Sequence, residues 1–390
     1  MSWPLDPRNQ GTNLPLEGLR VLDFSRVLAG PLVGMIAGDL GADVIKVEGP
    51  AGDPVRSLAP PTLDGLATYY LAVNRHRRNV VADLTNPRDR SAIAALLREA
   101  DAVIENFLPS QYQALDIGGL RSLNPECVWV SITPASSGTA LAEEPSFDLL
   151  AQARSGLMGV TGSVESGPTK VGAPVADVVT GLYGTIGLLT GLLAKARQRP
   201  GRHFEAPLLE STMSALINQA QGYLSTGVAA PLLGNEHPSI HPYGPVLTAD
   251  GQILLAVGTD GQFARLVALV DDEALSAGAE QWRTNAQRVA DRAALRSALT
   301  AAFSRATTAE WEARLEGQGI PFAPVASVSE AFAQPTIREG DFVTTMSTPT
   351  GETNVMRSPL RIDGVRPAVR FGPEALGQST SLLLDGPTAE

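Results

Sequence analysis

The sequence predicts an α/β protein built on a parallel sheet. Two observations carry this. Short apolar runs of strand length alternate with capped helical segments through the first half of the chain. The first two strands are joined by a single helix, the kind of crossover a parallel pair requires. The length of 390 residues exceeds one typical core, so a second domain is expected as well.

Residues 19–24 (LRVLDF) read as the first strand. A helix begins after Gly30, with Pro31 in its first turn and Gly41 to close it. Residues 42–47 form the second strand, and 80–84 the third. Asn86 then caps a helix that Pro87 opens and that runs to about residue 100. Residues 101–105 and 128–132 are strands. Residues 148–160 read as a helix whose end Gly156 and Gly159 weaken, and 175–197 as a long, mostly apolar helix suited to interior packing. The winding is Rossmann-like.

The stretch 222–243 is rich in Gly, Pro and His and reads as a long loop. A strand over 252–257 and helices over 262–270, 286–303 and 308–318 predict a smaller α+β domain. Strand and turn signals return from Ile320. The expected division is a large domain over 1–220, a small one over 221–325, and a segment 326–390 that completes the first.

Composition narrows the function. The net charge is −11, which disfavours nucleic acid and anionic membrane as partners. Basic residues cluster locally at Arg75-His76-Arg77-Arg78. The single cysteine, Cys127, lies in an apolar run and reads as a buried structural thiol with no intrachain partner. Residues 1–13 lack the apolar stretch of a signal peptide, and no uninterrupted apolar run reaches membrane-spanning length. A soluble cytoplasmic enzyme is expected.

Common motifs do not fit. The turn after the first strand, Ala29-Gly30-Pro31-Leu32-Val33-Gly34, has no GxGxxG, so a dinucleotide pyrophosphate is not provided for. Glu48 reads as a strand-end acid. No GxxxxGK[ST], HExxH or GxSxG occurs, and prolines 238 and 242 break any helix that could pair His237 with His241 on a metal. No metal and no tightly bound cofactor is expected.

Six separated blocks carry more information: residues 16–56, NRHRRNVVADLTNP (74–87), ADAVIENFLPS (100–110), PSFDLLAQARSGLMGVTG (145–162), 232–266, and GIPFAPVASVSEAF (319–332). Their order and spacing resemble the class III coenzyme A transferases, the CaiB/BaiF family that includes formyl-CoA transferase and carnitine CoA-transferase. The resemblance implies an acyl-CoA:carboxylate CoA-transferase, with CoA as co-substrate, an acyl-CoA and a carboxylic acid as partners, and an interlocked homodimer.

It further implies a nucleophilic aspartate in the PSFDLLAQARSG block, at Asp148. A carboxylate there attacks a thioester to give a mixed anhydride and then an aspartyl-CoA thioester. As an isolated residue, Asp148 also reads as a helix N-cap or first-turn acid. CoA contacts are implied at Val27, Leu28 and Ala29, at Ala82, Asp83, Leu84 and Thr85, and at Asn106, Phe107 and Leu108. Arg56, Arg75, Arg77 and Arg78 are phosphate candidates, because guanidinium presents a fixed fork of donors.

There are departures from the family pattern. Formyl-CoA transferase has Gln where Leu28 stands. The basic residue after the ENF pair is Leu108 here, and the arginine a few residues on is Ala114. Two alternatives stay open. An α-methylacyl-CoA racemase-like isomerase would use the acid aligned with Asp177, but its histidine position is Phe147, which carries no proton. A non-catalytic acyl-CoA-binding relative would bind CoA without turnover.

Overall fold

A computed structural model describes residues 3–381. Residues beyond 381 of the expected C-terminal segment lie outside the described residues. The chain forms two compact units. The larger runs through Leu157, resumes over Val171–Ala220 and again from Pro335. The smaller joins Met158–Lys170 to Gln221–Gln334. Met158–Lys170, which the sequence placed with the larger unit, thus belongs to the smaller.

In the larger unit the elements are β1 (Arg20–Asp23), α1 (Ala29–Asp39), β2 (Asp43–Glu48), β3 (Arg77–Val81), α2 (Pro87–Glu99), β4 (Ala102–Glu105), α3 (Pro109–Ala114), β5 (Val128–Thr133), α4 (Asp148–Arg154), α5 (Val175–Ala196) and β6 (His203–Pro207). The sheet order is β3-β2-β1-β4-β5-β6, and every neighbouring pair is parallel. The sheet is covered on both faces, and β2 and β4 are buried at every position, their charged residues included. The winding reverses between β1 and β4. In a doubly wound sheet that reversal opens a crevice at the carboxyl ends of the strands.

The third strand starts three residues earlier than its apolar run suggested, inside the basic cluster. The reason is pairing. Arg75 meets Asp39 at 2.6 Å, Arg77 meets Asp23 at 3.1 Å, and Arg78 meets Asp43 at 2.7 Å. Each cation is buried with its own carboxylate, so the strand can enter the core without leaving a charge uncompensated. Lys46 pairs with Asp53 and Arg56 with Glu48, each at 2.8 Å.

Helix α5 is long and apolar enough to cross a membrane by length and composition, but about half of it is buried against the sheet. Glycines let it come close. A side chain at Gly184 would strike Val33 and Ile132, and one at Gly191 would strike Val128. The segment expected as one helix over 148–160 is two, α4 and Leu157–Val160, separated at Gly156 with φ 87°. A helix, Asn218–Thr226, occupies the start of the stretch expected as loop. Cys127 is buried, and desolvation pushes its thiol up to about 12.

The smaller unit is a three-stranded antiparallel sheet, Tyr243–Leu247, Gln252–Ala256 and Phe322–Pro324, with helices packed on it. Ile253, Leu255, Phe263, Leu266 and Trp311 build its core, where Phe303 stacks on Trp311 at 4.2 Å. Arg288, fully buried, donates to the carbonyls of His241 and Trp282 and to Asp260.

Candidate active site

The site grows from the turn that follows β1. Val27 has φ 71°, a left-handed conformation that a β-branched residue rarely adopts. Several contacts hold it. Lys46 donates to the Ser25 carbonyl at 3.0 Å, and Asp53 accepts the Val27 amide at 3.3 Å. From across the β1/β4 reversal, the Asn106 side chain accepts the Arg26 amide at 3.0 Å and donates to the Arg26 carbonyl at 2.9 Å. The turn is therefore fixed by both strands that flank the crevice. The N-cap of α1, Leu28, makes no side-chain cap hydrogen bond among the described residues, and Pro31 in that first turn carries no N–H.

Helix α5 sits across this turn. Gly181 permits the approach, because a Cβ there would lie 2.8 Å from the Ala29 carbonyl and 2.9 Å from Leu32. Asp177 is four residues earlier, one turn along the same helical face. It points into a cleft of about 320 Å³ lined by Arg26, Val27, Leu28, Ala29, Asn106, Leu108, Gln111, Phe147, Asp177 and Leu208, among others. Asp177 is the only carboxylate among the described residues lining it. The residue is 9% exposed. Burial, then the charge of Asp148, raises its pKa to about 7.

Asp148 is placed differently. It opens α4, and both of its oxygens are engaged: Oδ1 accepts the Ala176 amide at 2.8 Å, and Oδ2 accepts Gln152 Nε2 at 2.7 Å. Gln152, fully buried, accepts the Val171 amide in turn at 2.8 Å. The residue expected to attack substrate does not line the cleft. Its neighbour Phe147 does, and is 59% exposed. A racemase would need a proton carrier there, and phenylalanine provides none.

A second cleft of about 210 Å³ adjoins the first and shares Arg26 and Gln111 with it. Its walls are Phe24, Val47, Gly49, Pro50, Ala82, Asp83, Leu84, Phe107 and Leu115. The Phe24 and Phe107 rings stand 6.1 Å apart. Most of the residues expected to contact CoA thus come together in these two clefts. Val27, Leu28, Ala29, Asn106 and Leu108 line the first, and Ala82, Asp83, Leu84 and Phe107 line the second. Thr85 lines neither. It donates twice to Asp83 Oδ1, at 2.9 Å from its amide and 2.7 Å from its hydroxyl.

The arginines are a correction. Arg75, Arg77 and Arg78 are 5%, 2% and 3% exposed, and their charges are spent on Asp39, Asp23 and Asp43. Arg56 is held by Glu48 and lies over the Tyr70 ring at 4.1 Å. None of the four lines either cleft. The cation that does, Arg26, went unremarked in the sequence because it stands alone rather than in a run. Gln111 was missed for the same reason, as an ordinary polar residue of a short helix.

Comparison with known proteins bears on this arrangement. The family model of CoA-transferase family III matches residues 16–380. The chain belongs to CoA-transferase family III. It is an enzyme that transfers coenzyme A. This CoA-transferase is 39% identical over 339 residues to the succinate–glutarate CoA-transferase of Agrobacterium fabrum, covering 83% of each chain. It is 33% identical over 387 residues to the succinyl-CoA:glutarate CoA-transferase of Homo sapiens, covering 98% of this chain and 88% of the relative. Among solved structures, a CAIB/BAIF family protein from Brucella suis is similar with TM-score 0.83 and 34% identity, over 95% of this CoA-transferase and 98% of that chain.

Proposed function

We propose that the enzyme moves CoA between two short dicarboxylic acids, and that Asp177, rather than Asp148, is the nucleophile. The observation that carries the choice is that Asp177 alone among the described carboxylates lines the cleft beside the Val27–Ala29 turn. The relatives named for succinate and glutarate make those acids the first pair to try.

The steps balance without water or an outside proton. The Asp177 carboxylate attacks the thioester carbonyl, and the C–S bond breaks to give a mixed anhydride and CoA thiolate. The thiolate attacks the Asp177 acyl carbon, releasing the donor acid and leaving an aspartyl-CoA thioester. The acceptor carboxylate attacks that thioester, and the thiolate then takes the acceptor's acyl group and restores Asp177. A largely buried carboxylate is poorly solvated, which favours attack, and the apolar walls at Leu28, Phe147 and Leu208 keep water from the anhydride. In this reading the Ala29 and Gly30 amides, in the first turn of α1, stabilise the oxyanion.

Asp148 has a positioning role in this reading. It caps the amide next to Asp177, and its charge helps hold the Asp177 pKa up. The test is direct. With succinyl-CoA and glutarate, and then a panel of CoA esters and acids, the wild type should form the new CoA ester while Asp177→Asn should not. Full activity in Asp177→Asn, or no transfer with any donor, would overturn the proposal.

A further inference from the structure

We propose that Arg26 anchors the diphosphate of coenzyme A. The inference rests on the reading above, in which the thioester end of CoA reaches Asp177. CoA is a long molecule: an adenosine, a diphosphate, and a pantetheine arm ending in sulfur. Neither cleft alone accommodates it. With the sulfur at Asp177 in the first cleft, the adenosine falls in the second, where Phe24, Leu84 and Phe107 offer apolar and aromatic walls. The diphosphate then lies where the two clefts meet. Arg26 and Gln111 are the residues that line both.

The charge inventory points the same way. Among the described residues lining the two clefts, Arg26 is the only cation. The four arginines expected to meet phosphate are each tied to an internal carboxylate. No hydrogen bond or ion pair joins the Arg26 guanidinium to another described residue, so its donors are available to a ligand. Its backbone is fixed on both sides by Asn106, at 3.0 and 2.9 Å, so only the side chain has to be ordered on binding. A guanidinium suits two adjacent phosphates better than an ammonium does. Arg26 thereby takes over the work of the basic residues that Leu108 and Ala114 replace.

The test uses the full-length enzyme and the variants Arg26→Gln and Arg26→Lys, with circular dichroism as a check of folding. Affinity for CoA and for dephospho-CoA is measured by titration calorimetry, and kcat/KM is measured with an acyl-pantetheine that lacks phosphates. Arg26→Gln should weaken CoA and dephospho-CoA alike by about 10- to 100-fold, as expected for losing a charge-assisted bidentate contact. It should leave acyl-pantetheine turnover unchanged, and Arg26→Lys should fall between. Unchanged CoA affinity would overturn the assignment. So would an equal loss with acyl-pantetheine, which marks a structural role, or a loss confined to CoA, which places Arg26 on the 3′-phosphate. If the wild type binds no CoA at all, the functional reading itself falls, a result distinct from each of these.

Discussion

Asp148 Oδ1 accepts the Ala176 amide at 2.8 Å, so one carboxylate fixes the first turn of the helix that presents another, Asp177. Asp148 is hydrogen-bonded to the Ala176 amide and to Gln152, while Asp177 lines the cleft.

The first prediction concerns Asp148. Asp148→Asn keeps an acceptor for the Ala176 amide and should retain activity within about tenfold. Asp148→Ala loses the cap and should cost about 1 kcal/mol of stability. Steady-state kinetics and denaturant melts on both variants check this. Abolition of transfer by the Asn variant, with its fold intact, would return the nucleophile to position 148.

The second concerns pH. Asp177 titrates at about 7, well above the reference of about 3.9 for an unfolded aspartate. Attack needs the ionised form, so kcat/KM should rise with pH through about 7 and then level. Stability runs the other way. The folded state holds this proton more tightly, so the contribution is fully present below about pH 4 and is lost as pH rises through about 7. Asp177→Asn removes that loss. It should unfold with a free energy higher by something on the order of 2 kcal/mol at pH 8, with little change at pH 4. Urea melts at the two pH values measure the difference.

The third concerns the buried arginines. Arg78→Ala leaves Asp43 without its cation, and Arg77→Ala does the same to Asp23. Each should destabilise the chain by roughly 3 to 5 kcal/mol. CoA affinity of whatever fraction remains folded should stay near wild type. Calorimetric titration after separation of the folded fraction distinguishes this from a phosphate contact.

These arginines also show where sequence reading runs out. The parallel sheet was legible because strands such as Ala102–Glu105 and Val128–Thr133 are mostly apolar runs, and because Asn86-Pro87 announces a helix in local code. The fate of Arg75-His76-Arg77-Arg78 was not, since its partners Asp23, Asp39 and Asp43 lie on other elements and only folding brings them into contact. A run of like charge looks the same in sequence whether it is solvated or paired. Asp148 and Asp177 were both visible as first-turn acids. Which one faces the cleft depends on how α5 crosses α1 at Gly181, a tertiary fact. Arg26 carries no pattern at all. Its proposed role rests on a guanidinium with no partner among the described residues, which a sequence cannot display.

The fourth prediction concerns assembly. Val178, Leu182, Ile186, Leu189 and Leu193 are exposed along one stripe of α5, at 37%, 47%, 57%, 36% and 53%. An apolar stripe of that length is a cost unless a partner covers it. We propose a homodimer, and expect sedimentation equilibrium to give twice the chain mass. The paired variant Ile186→Glu with Leu193→Glu should shift the enzyme to monomer or aggregate. A wild type that sediments as a monomer would contradict the proposal.

The measurement closest to the central claim is the site of covalent capture. The enzyme is incubated with a productive acyl-CoA and quenched with hydroxylamine or borohydride, then digested and analysed by mass spectrometry. Our account predicts a hydroxamate, or an aspartate reduced to homoserine, at Asp177 and at no other carboxylate. Capture at Asp148 with Asp177 unmodified would contradict it.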